Sequence, residues 1–422
     1  MTSVASNKPD VIVVGAGLAG LTAALTVAEL DFKPLILEAA AEAGGTTLLS
    51  EGVFNAFDPE RQIRISVDDS PEKHLEQLLR WGAYRGNRTL AKVLCYEAPS
   101  TLKWLEHLGL ELPENVVQAP ASPYPRSHIP IKKGHAYVDL LLSEVKKRRL
   151  PLLTNCRATH ILRNDSGTVN GIRFNHAGKE HTIHSRFGVV LAAGGFTANT
   201  ELLKRHCPLL AGIASAGTPY CDGTMLLAAQ DCGAAVTHMS YFVWDWKDSG
   251  VNPSLLTDAS RYVLLNAKGR RFIREDVRRR DQIEACLLEP QAKAWLVAYG
   301  SNIGDSFPFT KQQLQATMDT YNRTADAGKD NLFGKASELL HRIEHPWQIQ
   351  TLEPVVISSL GGLCIDAKAH VIDRYGNNIN GLVAAGDITG GIIHGEWAAK
   401  GDCLASAAVF GRVSAFTLCL GR

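Results

Sequence analysis

Three glycines near the N-terminus have the spacing of a turn that binds phosphate groups. Gly15, Gly17 and Gly20 follow directly on the β-branched residues 11–14. In a Gly-x-Gly-x-x-Gly turn, the first glycine permits a tight bend, the second lets the backbone approach a pyrophosphate, and the third lets the next helix pack on the strand. The N-terminus of that helix also presents amide groups and partial positive charge to the phosphates. The pattern therefore predicts a dinucleotide-binding site.

An acidic residue follows at the spacing expected for contact with the ribose of a dinucleotide. Glu38 lies 21 residues after Gly17 and closes the apolar run 34–37. A carboxylate at this place accepts hydrogen bonds from ribose hydroxyls. The glycine spacing is informative only inside a strand–helix–strand unit. Residues 11–14, a helix predicted over about 21–30 and a strand over 34–37 supply that unit.

The composition excludes several classes of protein. The chain has 422 residues, of which 45% are apolar and 21% are charged, as expected for a folded protein of two or three domains. Its 44 Lys and Arg against 43 Asp and Glu leave a net charge of +1, so we expect no binding to nucleic acid. Nine cysteines form no Cys-x-x-Cys pair. This spacing argues against a disulfide framework or a bound metal and favours a cytoplasmic location.

The uncharged run 11–28 also has the composition of a signal peptide or a membrane span. Its regularly spaced glycines, and the acids Glu29 and Asp31 that close it, favour a buried strand, turn and helix instead. We therefore expect no membrane association.

Apolar strands of similar type occur towards both ends of the chain. Residues 187–191 are followed, after two alanines, by a pair of glycines. Residues 381–384 are followed, after one alanine, by a Gly-Asp pair. Between them the composition becomes richer in Trp, Arg and Gln, and an amphipathic helix is predicted from residue 311 to residue 323. We predict a nucleotide-binding domain made from residues 1–225 and 353–422. An inserted capping domain occupies residues 226–352, and the cleft between the domains holds a ligand.

Together the motifs resemble those of the flavoprotein superfamily of fumarate reductase and succinate dehydrogenase. The flavocytochrome-type fumarate reductases and the 3-ketosteroid dehydrogenases are the most similar members. The resemblance implies an α/β fold, in which a discontinuous, Rossmann-like FAD-binding domain carries an inserted α+β capping domain, and it implies non-covalently bound FAD. The motifs that carry it are, in chain order, Val13-Val14-Gly15-Ala16-Gly17-Leu18-Ala19-Gly20, Glu38, Gly44-Gly45-Thr46-Thr47, Asp68-Asp69-Ser70-Pro71, Arg126-Ser127-His128, Ala192-Ala193-Gly194-Gly195-Phe196, Asp222-Gly223, Gly269-Arg270-Arg271-Phe272, Arg280-Asp281, Leu360-Gly361-Gly362 and Ala385-Gly386-Asp387.

The resemblance also assigns the residues that contact the cofactor. Asp402 precedes the apolar run 403–416, which reads as a capped helix, and the matching helix of the family points its N-terminus at the pyrimidine end of the flavin. Its partial positive charge would stabilise the charge that develops there. The candidate cofactor-binding residues are Gly15, Gly17, Ala19, Gly20, Glu38, Gly44, Gly45, Thr46, Thr47, Ala158, Ala193, Gly194, Asp222, Gly386, Asp387, Asp402, Cys403 and Leu404.

The substrate side departs from the fumarate reductase pattern. A carboxylate-binding His of the family is replaced by Ser358, and a carboxylate-binding Arg is replaced by Ala398. Neither replacement can supply the planar, charged fork that holds a carboxylate. We therefore expect a ligand other than fumarate or succinate, and Trp244 and Trp397 suggest a larger or more apolar one, although Trp244 is equally well explained as part of the core. These four residues are the candidate substrate contacts.

Four residues are candidates for acid–base catalysis. Arg280 matches the proton-donating Arg of the family after a one-residue insertion, which leaves Arg279 as the alternative. An arginine can transfer protons only when it is desolvated and close to a carboxylate, and Glu275 and Asp281 are the nearby candidates in sequence. His128 and His394 are the other two candidates, and each is also explained as a buried structural histidine.

These features predict an FAD-dependent oxidoreductase that acts on a carbon–carbon bond next to a carbonyl or carboxyl group of a small molecule. Hydride would move between flavin N5 and the β-carbon, in a direction that the motifs do not encode. Two alternatives remain at this point: an electron-transfer subunit docked on a partner, and a dehydrogenase that holds NAD in the glycine turn. The electron donor or acceptor and the oligomeric state stay open.

Overall fold

The structure is a computed structural model that describes residues 8–118, 122–247, 255–300, 307–394 and 396–421, with the side chains of 396–400 left out. The chain forms two compact units. Unit 1 contains the residues up to Pro208, Gly217–Val243 and the residues from Ser358 onward. Unit 2 contains Leu209–Ala216 and Trp244–Ile357.

Strands and helices alternate along unit 1, whereas unit 2 is mainly antiparallel. Within the described residues the strands are β1 (Val11–Val14), β2 (Pro34–Leu37), β3 (Phe54–Asn55), β4 (Val117–Gln118), β5 (Pro125–His128), β6 (Leu152–Leu153), β7 (Arg157–Arg163), β8 (Val169–His176), β9 (Lys179–His184), β10 (Gly188–Leu191), β11 (Ala214–Ser215), β12 (Val236–Thr237), β13 (Phe242–Trp246), β14 (Tyr262–Leu265), β15 (Ala294–Tyr299), β16 (Trp347–Leu352), β17 (Pro354–Ser359), β18 (Gly362–Leu363), β19 (His370–Ile372) and β20 (Asn378–Ala384). The helices are α1 (Leu18–Glu29), α2 (Pro59–Ile63), α3 (Pro71–Trp81), α4 (Arg88–Leu108), α5 (Gly134–Lys147), α6 (Thr200–His206), α7 (Thr224–Asp231), α8 (Arg279–Leu287), α9 (Lys311–Asp326) and α10 (Glu396–Leu420).

A six-stranded sheet of order β19-β20-β10-β1-β2-β6 forms the centre of unit 1. Its inner strands run parallel: Val13 of β1 lies beside Ile36 of β2 and Val190 of β10, and Val190 lies beside Val383 of β20. The carboxyl ends of these strands therefore meet at one edge, which is where open α/β sheets bind their ligands. The sheet thus brings the motifs from both ends of the chain together.

The apolar run near the N-terminus is a buried strand, turn and helix, as predicted. All four residues of β1 are buried. Helix α1 begins at Leu18, three residues before the predicted start, because Gly17 already serves as its N-cap. Helix α10 packs on α1 so closely that a Cβ atom on Gly411 would lie 2.5 Å from the carbonyl oxygen of Ala19. Its stretch Gly401–Leu420 is the one described helix long and apolar enough to span a membrane, and 50% of that stretch is buried inside the protein.

Unit 2 is built on the antiparallel sheet β14-β15-β16. Helix α9 begins with a capping box in which Thr310 and Gln313 satisfy each other's backbone amides, and it extends to Asp326, past the predicted end at residue 323. Its apolar face contributes Leu314 and Met318 to the core of the unit.

A cluster of four charged side chains lies buried inside unit 2. Arg271 donates to Glu275 and to Asp330, at 2.9 and 3.0 Å. The ammonium group of Lys335 lies 3.2 Å from Glu275. Opposite charges are equal in number, so the cluster is neutral as a whole and each charge has a partner.

The boundaries between the units differ from the predicted domain boundaries. Residues 226–243 belong to unit 1, because they carry β12, which pairs with β18 through Val236 and Leu363. Residues 209–216 belong to unit 2, because β11 pairs in parallel with β17 through Ala214 and Val355. Composition alone does not reveal these pairings, since both segments are short and partly exposed.

Candidate active site

Two of the three glycines in the first turn are required by the protein itself. Gly15 has φ +103°, and a Cβ atom there would lie 2.2 Å from the carbonyl oxygen of Ala192. A Cβ atom on Gly20 would lie 1.9 Å from the carbonyl oxygen of Gly15. At Gly17 the backbone is extended, with φ −80°, and the nearest protein atoms to a Cβ would be 3.7 Å away. The protein itself therefore does not require glycine at position 17, where a Cβ atom would make ordinary contacts with Gly44 and Thr47.

A second glycine segment, Gly44-Gly45, lies opposite the first turn and leaves room beside the N-terminus of α1. The amide of Gly44 donates to the carbonyl oxygen of Ala16 at 2.9 Å. The hydroxyl oxygen of Thr47 accepts from the amide of Leu18 at 3.1 Å, which caps α1 from outside the helix. A Cβ atom on Gly45, where φ is +52°, would lie 3.8 Å from Cα of Gly17. Two bare backbone segments beside a helix N-terminus fit a pyrophosphate.

Glu38 is held in place by backbone amides at the end of β2. One carboxylate oxygen accepts from Ala16 and the other from Ala40, both at 2.8 Å. Each oxygen keeps further acceptor capacity, because a carboxylate offers about four lone-pair directions. The side chain is therefore oriented as a ribose contact requires.

The end of β10 and the second glycine segment meet at a cysteine that the sequence analysis did not select. The thiol sulfur of Cys221 lies 3.2 Å from the hydroxyl of Thr46. A Cβ atom on Gly194, where φ is +78°, would lie 3.4 Å from the same sulfur. Ala193 directly precedes Gly194, so the strand end, the Gly-Gly segment and Cys221 form one side of the site.

The end of β20 brings Asp387 to the same edge. A Cβ atom on Gly386, where φ is +78°, would lie 3.0 Å from Cβ of Ala19 in α1. Asp387 accepts a hydrogen bond from the hydroxyl of Ser358 at 2.6 Å. Burial raises the pKa of the Asp387 carboxyl above its usual value, and the bond from Ser358 opposes that change. The structure thus places Ser358, a predicted substrate contact, directly against a predicted cofactor contact.

Asp222 and Ala158 are two of the predicted cofactor residues. The carboxylate of Asp222 is bonded within the protein, and Ala158 has no polar side-chain group. Asp222 is paired with Arg157, and it accepts from the amide of Thr224 at 2.9 Å at the start of α7. Ala158 follows Arg157 in β7 and is buried. The carboxylate of Asp222 therefore also holds a structural turn, and its assignment as a cofactor contact stays a prediction.

The C-terminal helix does not begin where the sequence predicts. Helix α10 starts at Glu396, before Asp402, although Gly401 interrupts its regular backbone with φ +96°. The Asp402 carboxylate does not cap the helix: it accepts from Nε2 of His74 at 2.9 Å in a fully buried pair. Cys403 and Leu404 follow at the partly exposed first turn after Gly401. Burial, with the nearby Asp387 and Asp402 carboxylates, raises the pKa of Cys403 well above its usual value.

The arginine candidates lie at the start of α8 in unit 2. Arg280 donates to Glu284 at 2.8 Å and its guanidinium lies 5.4 Å from the ring centre of Trp244. Arg279 donates to the carbonyl oxygen of Leu256 at 2.9 Å. The carboxylate at Arg280 is thus Glu284, one helical turn away, and not the expected Glu275 or Asp281.

Those two carboxylates are engaged elsewhere in unit 2. Glu275 belongs to the buried charged cluster, and Asp281 pairs with Arg278 at 2.9 Å. Asp281 lies three positions after Arg278 at the start of α8, whereas Glu275 precedes the helix and bonds to Arg271.

The two histidine candidates have different surroundings. Both ring nitrogens of His128 are used inside unit 1, by the carbonyl oxygen of Phe54 and by Asp58, each at 3.2 Å. These bonds fit a structural role for His128 in β5, and its assignment as a catalytic group stays a prediction. The ring of His394 lies 4.1 Å from that of Tyr241, whose hydroxyl accepts from Arg85 at 3.1 Å. Trp397 and Ala398 lie in the first turns of α10, and their side chains fall outside the described residues.

Comparisons with known proteins agree with this geometry. The family model described as "FAD binding domain" matches residues 10–404. A probable fumarate reductase of Shewanella frigidimarina is 27% identical over 97% of this chain and 74% of its own length. The vinyl phenol reductase of Lactiplantibacillus plantarum is 25% identical over 98% of this chain and 97% of its own length.

Solved structures show the same relationship. A flavocytochrome c3 fumarate reductase in its open conformation matches 99% of this chain and 80% of its own, with 25% identity and a TM-score of 0.89. The 3-ketosteroid Δ4-(5α)-dehydrogenase of Rhodococcus jostii matches 99% of this chain and 98% of its own, with 25% identity and a TM-score of 0.79. These matches confirm the predicted α/β fold and the FAD cofactor, and they replace the alternative of an NAD dehydrogenase. The chain belongs to the FAD-dependent flavoprotein superfamily of the fumarate reductases and succinate dehydrogenases, and it is an oxidoreductase.

Proposed function

We propose that this enzyme reduces or forms a carbon–carbon double bond next to the carbonyl or carboxyl group of a small organic molecule other than fumarate or succinate. When bound, FAD supplies the hydride donor or acceptor at N5 of its ring. The glycine segments around Gly17 and Gly45 would hold its pyrophosphate, and Glu38 its ribose. The flavin would be held without a covalent bond.

One observation carries the proposed choice of substrate. The hydroxyl hydrogen of Ser358 is directed at Asp387, with an oxygen–oxygen distance of 2.6 Å. The residue that stands in place of a carboxylate-binding histidine therefore has its only donor engaged with another acid. A substrate carboxylate placed there would lose its hydration and gain neither a cation nor a hydrogen-bond donor from Ser358, which is unfavourable by several kcal/mol.

The proton would be handled by unit 2. Arg280 has Glu284 as a hydrogen-bonded carboxylate and Trp244 beneath its guanidinium, so its position is fixed by two contacts. Glu284 would return the proton to the guanidinium after each transfer. Arg279 is the alternative donor, and its guanidinium is already engaged with a backbone carbonyl and lies 3.5 Å from Asp245.

The range of chemistry among the relatives supports a substrate beyond dicarboxylates. Reductases named for vinyl phenol and for urocanate are related to this chain at 25% and 27% identity, and both names describe unsaturated ring compounds. The similar dehydrogenase structure binds 4-androstene-3,17-dione, a ketone. We infer a ketone or a cyclic oxo acid for this enzyme.

The experiment is a binding titration of the oxidised holoenzyme, read from the visible spectrum of the flavin. Cyclic enones, aryl acrylates and keto acids form the panel, with fumarate and succinate as the comparison. We expect spectral shifts with members of the panel and none with the two dicarboxylates at millimolar concentration. A micromolar Kd for fumarate or succinate would contradict the proposal.

A further inference from the structure

A small internal cavity in unit 1 adjoins the buried pair of His74 and Asp402. It has a volume of about 10 Å³, which is the space of one water molecule. Its walls come from α3, α10, β3, β5 and the loop before β5. The lining residues are Asn55, His74, Gln77, Leu78, Trp81, Ser122, Arg126, Ser127 and Asp402.

Two buried polar atoms at this cavity have no partner among the described residues. They are Nδ1 of His74 and Oε1 of Gln77, on side chains that are only 2% and 4% exposed. Both residues lie on α3, three positions apart, so they face the same side of the helix. Buried polar atoms in proteins are almost always hydrogen-bonded, so the pair points to a missing partner.

The surrounding bonds show which end of each side chain is left over. The hydroxyl of Ser122 donates to the carbonyl oxygen of Tyr124 at 2.8 Å, so it accepts from the amide nitrogen of Gln77, also at 2.8 Å. The oxygen of the Gln77 amide is therefore left without a donor. Nε2 of His74 is bonded to the Asp402 carboxylate at 2.9 Å, so Nδ1 is the ring nitrogen that is left over.

We propose that the cavity holds one ordered water molecule, which donates to Oε1 of Gln77 and forms a second hydrogen bond with Nδ1 of His74. A water is the smallest group that can both donate and accept hydrogen bonds and that fits the volume. The neighbouring cation does not replace it, because Arg126 directs Nε and Nη2 at Asp69, at 3.0 and 2.6 Å. The water, His74 and Asp402 form a continuous hydrogen-bonded chain.

The water is tested on the wild-type holoenzyme without reference to activity. A crystal structure that resolves ordered solvent should show one water within hydrogen-bonding distance of Nδ1 of His74 and Oε1 of Gln77. An empty cavity would overturn the proposal.

Discussion

At Gly17 the effect of a substitution on FAD binding can be measured separately from its effect on the free energy of unfolding. A Cβ atom there would lie 3.7 Å from the nearest protein atoms, and the extended backbone is open to alanine. Gly17→Ala should therefore change the free energy of unfolding of the apoprotein by no more than about 1 kcal/mol. The same methyl group would project into the space assigned to the pyrophosphate. Crowding of that kind costs about 1–3 kcal/mol and would raise the Kd for FAD about 5- to 150-fold.

Gly20→Ala is the matched control, because its methyl group would lie 1.9 Å from a backbone oxygen inside the protein. That variant should lose more than about 3 kcal/mol of stability even without cofactor. The assay is thermal unfolding of both apoproteins together with FAD titration followed by flavin fluorescence. If Gly17→Ala bound FAD as tightly as the wild type, or unfolded as readily as Gly20→Ala, the assignment of this space to the cofactor would be refuted.

Three further predictions concern unit 2. Lys335→Met should destabilise the protein by about 3 kcal/mol, because it leaves Glu275 with one buried cation in place of two. Lys329 is exposed, so Lys329→Met is the control and should not change the free energy of unfolding measured in urea. Arg280→Ala should still bind FAD but lose about 10²–10⁴-fold in turnover, measured by stopped-flow. If turnover fell in Arg279→Ala and not in Arg280→Ala, Arg279 would be the proton donor. The bond from Arg274 lowers the pKa of Asp276 from 3.8 to about 2, so its stabilising effect is present above pH 4 and is lost as the pH falls towards 2. Asp276→Asn should lower stability at pH 6 more than at pH 3, and equal losses at both values would count against the ion pair.

The parts of the fold that depend on neighbouring residues could be predicted from the sequence. Gly15 needs its positive φ, and Gly20 needs the absence of a side chain against the carbonyl oxygen of Gly15, so both requirements act within the first strand–helix unit and the spacing identifies the turn. Glu38 follows one strand later and is bonded to the same turn. Their positions follow from chain geometry over some twenty residues, where pattern and structure are closely linked.

The parts that depend on distant contacts could not be predicted. His74 and Asp402 are 328 positions apart, and only the packing of α3 against α10 brings them together. That contact, and not a helix cap, determines what the Asp402 carboxylate binds. His128 shows the same limit, because its role is fixed by Asp58, which lies 70 positions earlier. Neither pairing leaves a local signal in the sequence.

Single-turnover reoxidation of the reduced flavin tests the proposed reaction most directly. The holoenzyme is reduced anaerobically with dithionite, mixed with a panel compound or with fumarate, and followed by the return of the flavin absorbance. We predict that an enone or aryl acrylate restores the oxidised spectrum, with one molecule of saturated product formed per FAD, and that fumarate does not. Rapid reoxidation by fumarate, or reduced flavin that no unsaturated compound reoxidises, would contradict the account.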